Sequence, residues 1–290
     1  MPKVVSFMNM KGGVGKTTLC VNIANTLATY FKKKVLIIDM DPQFNASQYV
    51  LRVMHGEEHT KVYEKEKENG NTIYNIYERP KKNDTLGENE VQSIFNSKKI
   101  NDSHLKKNYT INIKSNLDII LGDIRLIELQ IIQKSGIERV LERYIEMNDF
   151  MKDYEFIFID SPPTYSFFFI SSYLCCDTYV LPVKPDYLSS TGIALLAKAE
   201  ESITETYGKK VNPLGIIYTL IDPRNNLHQP VQDNIKMTVG EQNIFKTNMR
   251  YLKSVPDGLR NQKFMLDILE QDITKEIISI TEEFLTRFDR

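Results

Sequence analysis

The stretch Met8–Cys20, MNMKGGVGKTTLC, constrains this chain more than any other part. Three glycines stand between a short apolar run, Val4 to Met8, and a segment in which Leu19, Ile23, Leu27 and Phe31 recur every four residues beside Cys20, Ala24 and Ala28. The apolar run has the pattern of a strand buried on both faces. The fourfold spacing is that of an amphipathic helix, expected from about Lys16 to Lys32–Lys34. VLIID at 35–39 supplies a second buried strand. Strand, glycine loop, helix and strand make a βαβ unit, whose crossover leaves the two strands parallel and covers the sheet with helices.

The same rhythm returns along the chain. EFIFID (155–160), TYVLPV (178–183) and LGIIYTLI (214–221) read as interior strands, and Leu117 to Leu121 as one more. Helices are expected between them, as at Ile193–Tyr207, and over Leu266–Phe288 at the carboxyl end. The expected fold is therefore α/β, a doubly wound, mainly parallel sheet flanked by helices. From about 52 to 115 the chain turns rich in Lys, Glu and Asn, including EKEKENGN, which predicts a polar surface insertion. Within it only TIYNIY and VQSIFN look able to pack. With no internal repeat and no clean linker, a single domain spanning 1–290 is expected.

Composition removes several functional classes. Lys and Arg number 37 against 38 Asp and Glu, a net charge of −1, so any binding to nucleic acid must use a local basic patch. Three cysteines, Cys20, Cys175 and Cys176, form neither a disulfide framework nor a zinc site. No signal segment opens the chain, and its longest apolar run, TYSFFFISSYLCC, is too short to span a bilayer. A reducing cytoplasm is the expected setting.

The loop points to phosphate. Gly12, Gly13 and Gly15 let successive backbone N–H groups converge on phosphate oxygens at a helix amino terminus. Lys16 can reach the β- and γ-phosphates, the Thr17 hydroxyl can ligate Mg²⁺, and Thr18 suits the α-phosphate side. The common form G-x-x-x-x-G-K-[ST] fails by one residue, since Met10 stands where its first glycine belongs, and a second lysine, Lys11, precedes the glycines.

Lys11-Gly12-Gly13-Val14-Gly15-Lys16-Thr17-Thr18 closely resembles the deviant Walker A motif, xKGGxGK[ST], of the ParA/MinD family of P-loop ATPases. That resemblance implies ATP and Mg²⁺ as ligands, hydrolysis to ADP and phosphate, and a role for Lys11. The early lysine of the family reaches across a dimer interface to phosphates held by the other subunit, so two ATP molecules are sandwiched between two chains. A second cation is favourable there only when the triphosphate is present, which makes the closed dimer depend on ATP.

Two acidic motifs extend the likeness. IIDMDPQFNAS resembles the family's DxDPQGN segment, with Phe44 in place of the usual glycine. By that resemblance Asp41 orients the attacking water and Asp39 lies close to the magnesium shell. FIFIDSPPTYS resembles the Walker B strand and its turn, with Asp160 holding Mg²⁺ through water. LPVKPDYLSSTGI (181–193) is similar to a stretch that lies near the dimer interface in relatives. YTLIDPRNNLHQPV and FKTNMRYLKSVPDG match the adenine-contacting regions only loosely, so no base contact carries over.

Three kinds of cargo fit such a loop. A ParA-type partition ATPase, of the short form with no DNA-reading domain ahead of its first strand, binds DNA without sequence preference as an ATP dimer. It lets go when a ParB-like centromere-binding partner stimulates hydrolysis, and so is found on the nucleoid. Arg250, Lys253, Arg260 and Lys263 lie where relatives carry DNA-contacting basic residues. A MinD-type membrane ATPase calls for a basic amphipathic tail, whereas this tail carries Glu270, Asp272, Glu276, Glu282, Glu283 and Asp289. A biosynthetic phosphate-transfer enzyme needs its own acid–base set, and the four histidines are scattered. The partition reading is the one expected, with no membrane partner.

Overall fold

Runs such as VLIID and FIFID have apolar side chains on both alternating faces, so they form stable strands only where helices cover the sheet on both sides. The computed structural model, which describes residues 3–78, 103–131, 136–222, 224–225, 227–251 and 262–288, builds that arrangement. Strands β1 (Lys3–Phe7), β2 (Val35–Asp39), β3 (Ile111–Lys114), β4 (Leu117–Ile120), β5 (Phe156–Asp160), β6 (Thr178–Val183) and β7 (Asn212–Tyr218) form one sheet in the order β3-β4-β2-β5-β1-β6-β7. Every pairing is parallel except the β3–β4 hairpin. The fold class is that expected.

The longer helices among the described residues are α1 (Lys16–Thr29), α2 (Asn45–His55), α3 (His59–Glu68), α4 (Val140–Met147), α5 (Phe167–Cys175), α6 (Ser189–Tyr207), α7 (His228–Val239) and α8 (Gln271–Phe288). Two apolar cores form, one on each side of the sheet. Val35, Ile37, Phe156 and Phe158 pack against α1, α2 and α8, while Leu36, Ile38, Ile157 and Ile159 pack against α4, α5 and α6. Each fully buried Ile or Phe contributes roughly 1.5–3 kcal/mol, so the alternation is what secures two helical layers. Cys175 and Cys176 are buried in one of these cores.

Several boundaries move for local reasons. Helix α1 stops at Thr29, short of the expected end, as Lys32 turns into the left-handed region at φ 57°. Helix α8 starts at Gln271 rather than Leu266, because Met265–Asp267 forms a separate 3₁₀ turn. Helix α6 starts at Ser189, earlier than expected, and β7 ends at Tyr218, before the expected limit.

Among the described residues of 52–115, several side chains pack into the fold. Ile73, Ile76 and Tyr77 are buried, as TIYNIY suggested, and so are Tyr63, Leu105 and Tyr109. Asp123 anchors this segment by accepting a 2.7 Å hydrogen bond from Thr72 Oγ1 and a bidentate pair from Arg125, Nε to Oδ1 and Nη2 to Oδ2. VQSIFN lies outside the described residues.

Parallel register sets up the site. Asp39 at the end of β2 is level with Asp160 at the end of β5, and Asp160 with Phe7 at the end of β1. Three loops therefore leave one edge of the sheet together, at the carboxyl ends where parallel sheets take ligands.

Candidate active site

The glycine loop follows β1 and is pinned from three sides. Asn9 accepts from Lys11 N (2.9 Å) and donates to Pro182 O (2.7 Å), and Thr219 Oγ1 donates to Val14 O (2.7 Å). Gly13 and Gly15 have φ of 69° and 80°, a region that costs a side chain roughly 1–2 kcal/mol. Open space surrounds Gly13, so its backbone conformation alone demands glycine. Val14 between them is buried and anchors the turn.

Helix α1 starts at Lys16, and its first residues carry the charge chemistry. Lys16 is buried, and its Nζ donates to Lys11 O (3.3 Å). Burial pushes its ammonium below the usual range, although Asp160 and Asp41 pull it back up. Thr17 Oγ1 donates to Asp160 Oδ2 at 2.7 Å. The other oxygen of Asp160 is buried and accepts no hydrogen bond. Burial raises the Asp160 carboxyl to about 7, against the opposing pull of Thr17 and Lys16.

Asp41 is buried beside the loop, and its Oδ1 accepts from Gln43 N at 2.9 Å. Burial lifts its carboxyl above the ordinary value, with the Gln43 amide and Lys16 opposing. Asp39, level with Asp160, is held from within the fold. Its Oδ2 accepts from both Ser47 N (2.8 Å) and Ser47 Oγ (2.7 Å), and its Oδ1 faces Asp41 N at 3.3 Å. Fully buried, it does not line the cleft and instead ties the Asp41 loop to α2. Burial, and then Asp160, hold its carboxyl well above the normal range.

Gly12 to Thr18, Asp41, Asn45, Gln48, Arg52 and Pro163 line one open cleft of about 370 Å³. Its donor set fits Mg²⁺, a hard cation that takes oxygen ligands, keeps several waters and shares the ligand's phosphates. The Thr17 hydroxyl and the unbonded Asp160 oxygen are such donors. Among the described residues no cage of three or more His, Cys, Asp or Glu side chains forms.

Lys11 lies at the rim of this arrangement. Its Nζ makes a bidentate contact with Asp186, at 2.5 and 2.6 Å, in the turn before α6. Burial would raise the Asp186 carboxyl, but hydrogen bonds from Lys11 and Ser189 hold it below the ordinary value. Gly192 lets α6 approach, since a Cβ there would come within 3.0 Å of Asn9 Oδ1 and 3.3 Å of Lys11 Cβ. Beside the pair, Tyr187 is 94% exposed and Leu188 59%.

The basic residues named from the late sequence do not form a patch among the described residues. Arg250 Nε donates to Glu276 at 2.7 Å, and its guanidinium also faces Asp272 at 3.7 Å, so carboxylates neutralise it. Lys263 is half-buried, and Lys253 and Arg260 lie outside the described residues. Sequence reasoning missed the wall of the cleft formed by Asn45, Gln48 and Arg52. Their spacing of three and then four residues, directly after the acidic strand end, was the available signal.

Comparison with known proteins places this site in context. The model of the AAA domain family matches residues 2–213. The sporulation initiation inhibitor protein Soj of Bacillus subtilis is 27% identical over 249 residues, covering 85% of this chain and 83% of Soj. The virulence plasmid ParA family protein pGP5-D of Chlamydia psittaci is 25% identical over 282 residues, 97% of this chain and 93% of its own. Among solved structures, a plasmid partition protein of Borrelia burgdorferi bound to AMPPNP superposes with a TM-score of 0.72 at 21% identity, covering 99% of this chain and 100% of that one. Cobyrinic acid a,c-diamide synthase of Mycobacterium smegmatis, with bound ADP and magnesium, has the same fold at a TM-score of 0.70 and 16% identity, covering 100% of this chain and 96% of that one.

Proposed function

Because the chain belongs to the AAA domain family, as a ParA/Soj-type partition ATPase that takes ATP and Mg²⁺, we propose that it works as an ATP-sandwich dimer on DNA. In this reading, 1–290 is a single ATPase domain that binds DNA without sequence preference, associates with the nucleoid, and hydrolyses ATP when a ParB-like centromere-binding protein stimulates it. The observation that carries the reading is the convergence of Lys16, Thr17, Asp41 and Asp160 on the glycine loop.

The glycine-loop N–H groups and Lys16 bind the phosphates, and Lys16 exchanges its weak bond to Lys11 O for a phosphate oxygen. Thr17 and Asp160 would hold Mg²⁺, which would neutralise phosphate charge when bound. Asp41 accepts a hydrogen bond from the attacking water and orients it, so its placement sets the rate. Asp39 acts one step removed, by fixing the Asp41 loop through Ser47. Lys11 leaves Asp186 and serves the nucleotide of a second copy. The exposed Tyr187 and Leu188 next to it supply apolar area for that copy to cover.

A membrane-positioning role finds no support in α8. Its apolar residues Ile273, Ile277, Ile280 and Phe284 are already buried in the core, and no helix among the described residues is long and apolar enough to cross a membrane.

Retention on random-sequence DNA tests the proposal, with ATP, ADP or no nucleotide. We expect retention only with ATP, declining steeply with salt and absent for Lys16→Ala. Retention by anionic vesicles in place of DNA, or phosphorylation of a small metabolite, would overturn it.

A further inference from the structure

Helix α2 begins where the acidic loop ends, and it is two-faced. Ala46, Ser47, Val50 and Leu51 are buried, while Asn45, Gln48 and Arg52 face the cleft opposite the glycine loop. Asn22 of α1 fixes how this wall sits. Its side-chain amide donates to Thr18 O at 2.8 Å and to Tyr49 Oη at 3.1 Å. The middle of α2 is thereby set beside Thr18, on the α-phosphate side of the loop.

Arg52 is held unlike the other arginines that structure this fold. Arg125, Arg250 and Arg287 each make charge-assisted bonds of 2.6–2.8 Å with a carboxylate. Arg52 has one ion-pair partner among the described residues, Glu57 at 3.8 Å, and Glu57 is 84% exposed and so screened by water. Its Nε is buried and donates to nothing. A buried donor without an acceptor is unfavourable, which favours a turn of the guanidinium into the cleft where an anion can accept from it. A guanidinium suits that purpose, since its planar fork offers two parallel donors to phosphate oxygens.

We propose that Arg52 is a nucleotide-binding residue that donates to an α- or β-phosphate oxygen of the nucleotide in the Gly12–Thr18 loop. The proposal rests on the nucleotide reading of that cleft. Because those phosphates are common to ATP and ADP, Arg52 sets affinity for both and does not distinguish them.

Titration of the full chain with Mg²⁺ and fluorescent ADP or a slowly hydrolysed ATP analogue tests this by direct binding. Arg52→Met, which keeps the length of the side chain, is expected to weaken both ligands about 10- to 100-fold. Arg52→Lys should recover part of the loss, and Glu57→Gln should bind as wild type does. Affinity of Arg52→Met within about twofold of wild type, while Lys16→Ala loses binding, would overturn the proposal and leave the cleft reading intact. Wild-type binding by Lys16→Ala would overturn both. A loss confined to the triphosphate would overturn the placement, and an equal loss in Glu57→Gln would show that Arg52 acts by tethering the turn after α2.

Discussion

Phe44 shows how a single position can reverse an ordinary preference. It stands in the left-handed region (φ 44°, ψ 39°), which glycine adopts without a side-chain penalty. What keeps phenylalanine in place is Tyr63 of α3, stacked on it at 4.8 Å with the rings 4° from parallel. Tyr63 in turn donates to Gly122 O at 3.2 Å, and the close approach of Gly122 to Phe44 Cβ leaves no room for a side chain at that glycine. The stack, worth roughly 0.5–1.5 kcal/mol beyond its burial, offsets a strain of similar size. Phe44→Ala keeps the strain and loses the stack, whereas Phe44→Gly loses both. Urea denaturation should therefore find Phe44→Ala less stable than Phe44→Gly by about 1 kcal/mol; the opposite order would mean the backbone is not strained. The glycine-to-phenylalanine exchange was visible in the sequence, but its partner was not. Tyr63 lies nineteen positions away, in a segment whose charge density read as solvent-facing.

Among the elements, α8 illustrates how acids that look solvated can be structural. Glu276 is buried, and it accepts from Arg250 N at 2.8 Å as well as from Arg250 Nε. Glu283 similarly accepts from Lys246 N and from Arg287. These carboxylates fasten the carboxyl-terminal helix to the segment after β7, at Lys246 and Arg250. Glu276→Ala leaves a backbone donor and a guanidinium without their acceptor, and should cost about 2–3 kcal/mol, less than a fully buried pair because Arg250 is partly exposed. Arg250→Ala should also destabilise, and the double variant by less than the sum of the two. Additive losses in chemical denaturation would show that the two residues do not act as a unit. Any loss of DNA retention in Arg250→Ala must accordingly be judged against its melting temperature. The sequence marked both the acids and the arginine as charged and left open which of them meet. Their pairing spans 26 positions and depends on how α8 lies across the sheet.

At the scale of the whole molecule, the proposed dimer turns on Lys11. Within a single chain its charge is matched by Asp186. In the proposed dimer it meets a triphosphate instead, so the variant Lys11→Ala should bind nucleotide normally and remain monomeric with ATP and Mg²⁺. Light scattering that found ATP-dependent dimers of this variant would refute the trans role. The sequence alone determined the layered α/β fold and the phosphate loop, because both are written in local patterns. These are apolar runs, a fourfold helical repeat, and glycines at positions where φ must be positive. Only the tertiary structure decided that Asp39 braces Ser47, that Arg250 is neutralised, and that the polar face of α2 walls the cleft. Those outcomes turn on which carboxylate meets which donor across the fold. Burial and hydrogen-bond geometry settle that choice only once the sheet register has brought the distant loops together.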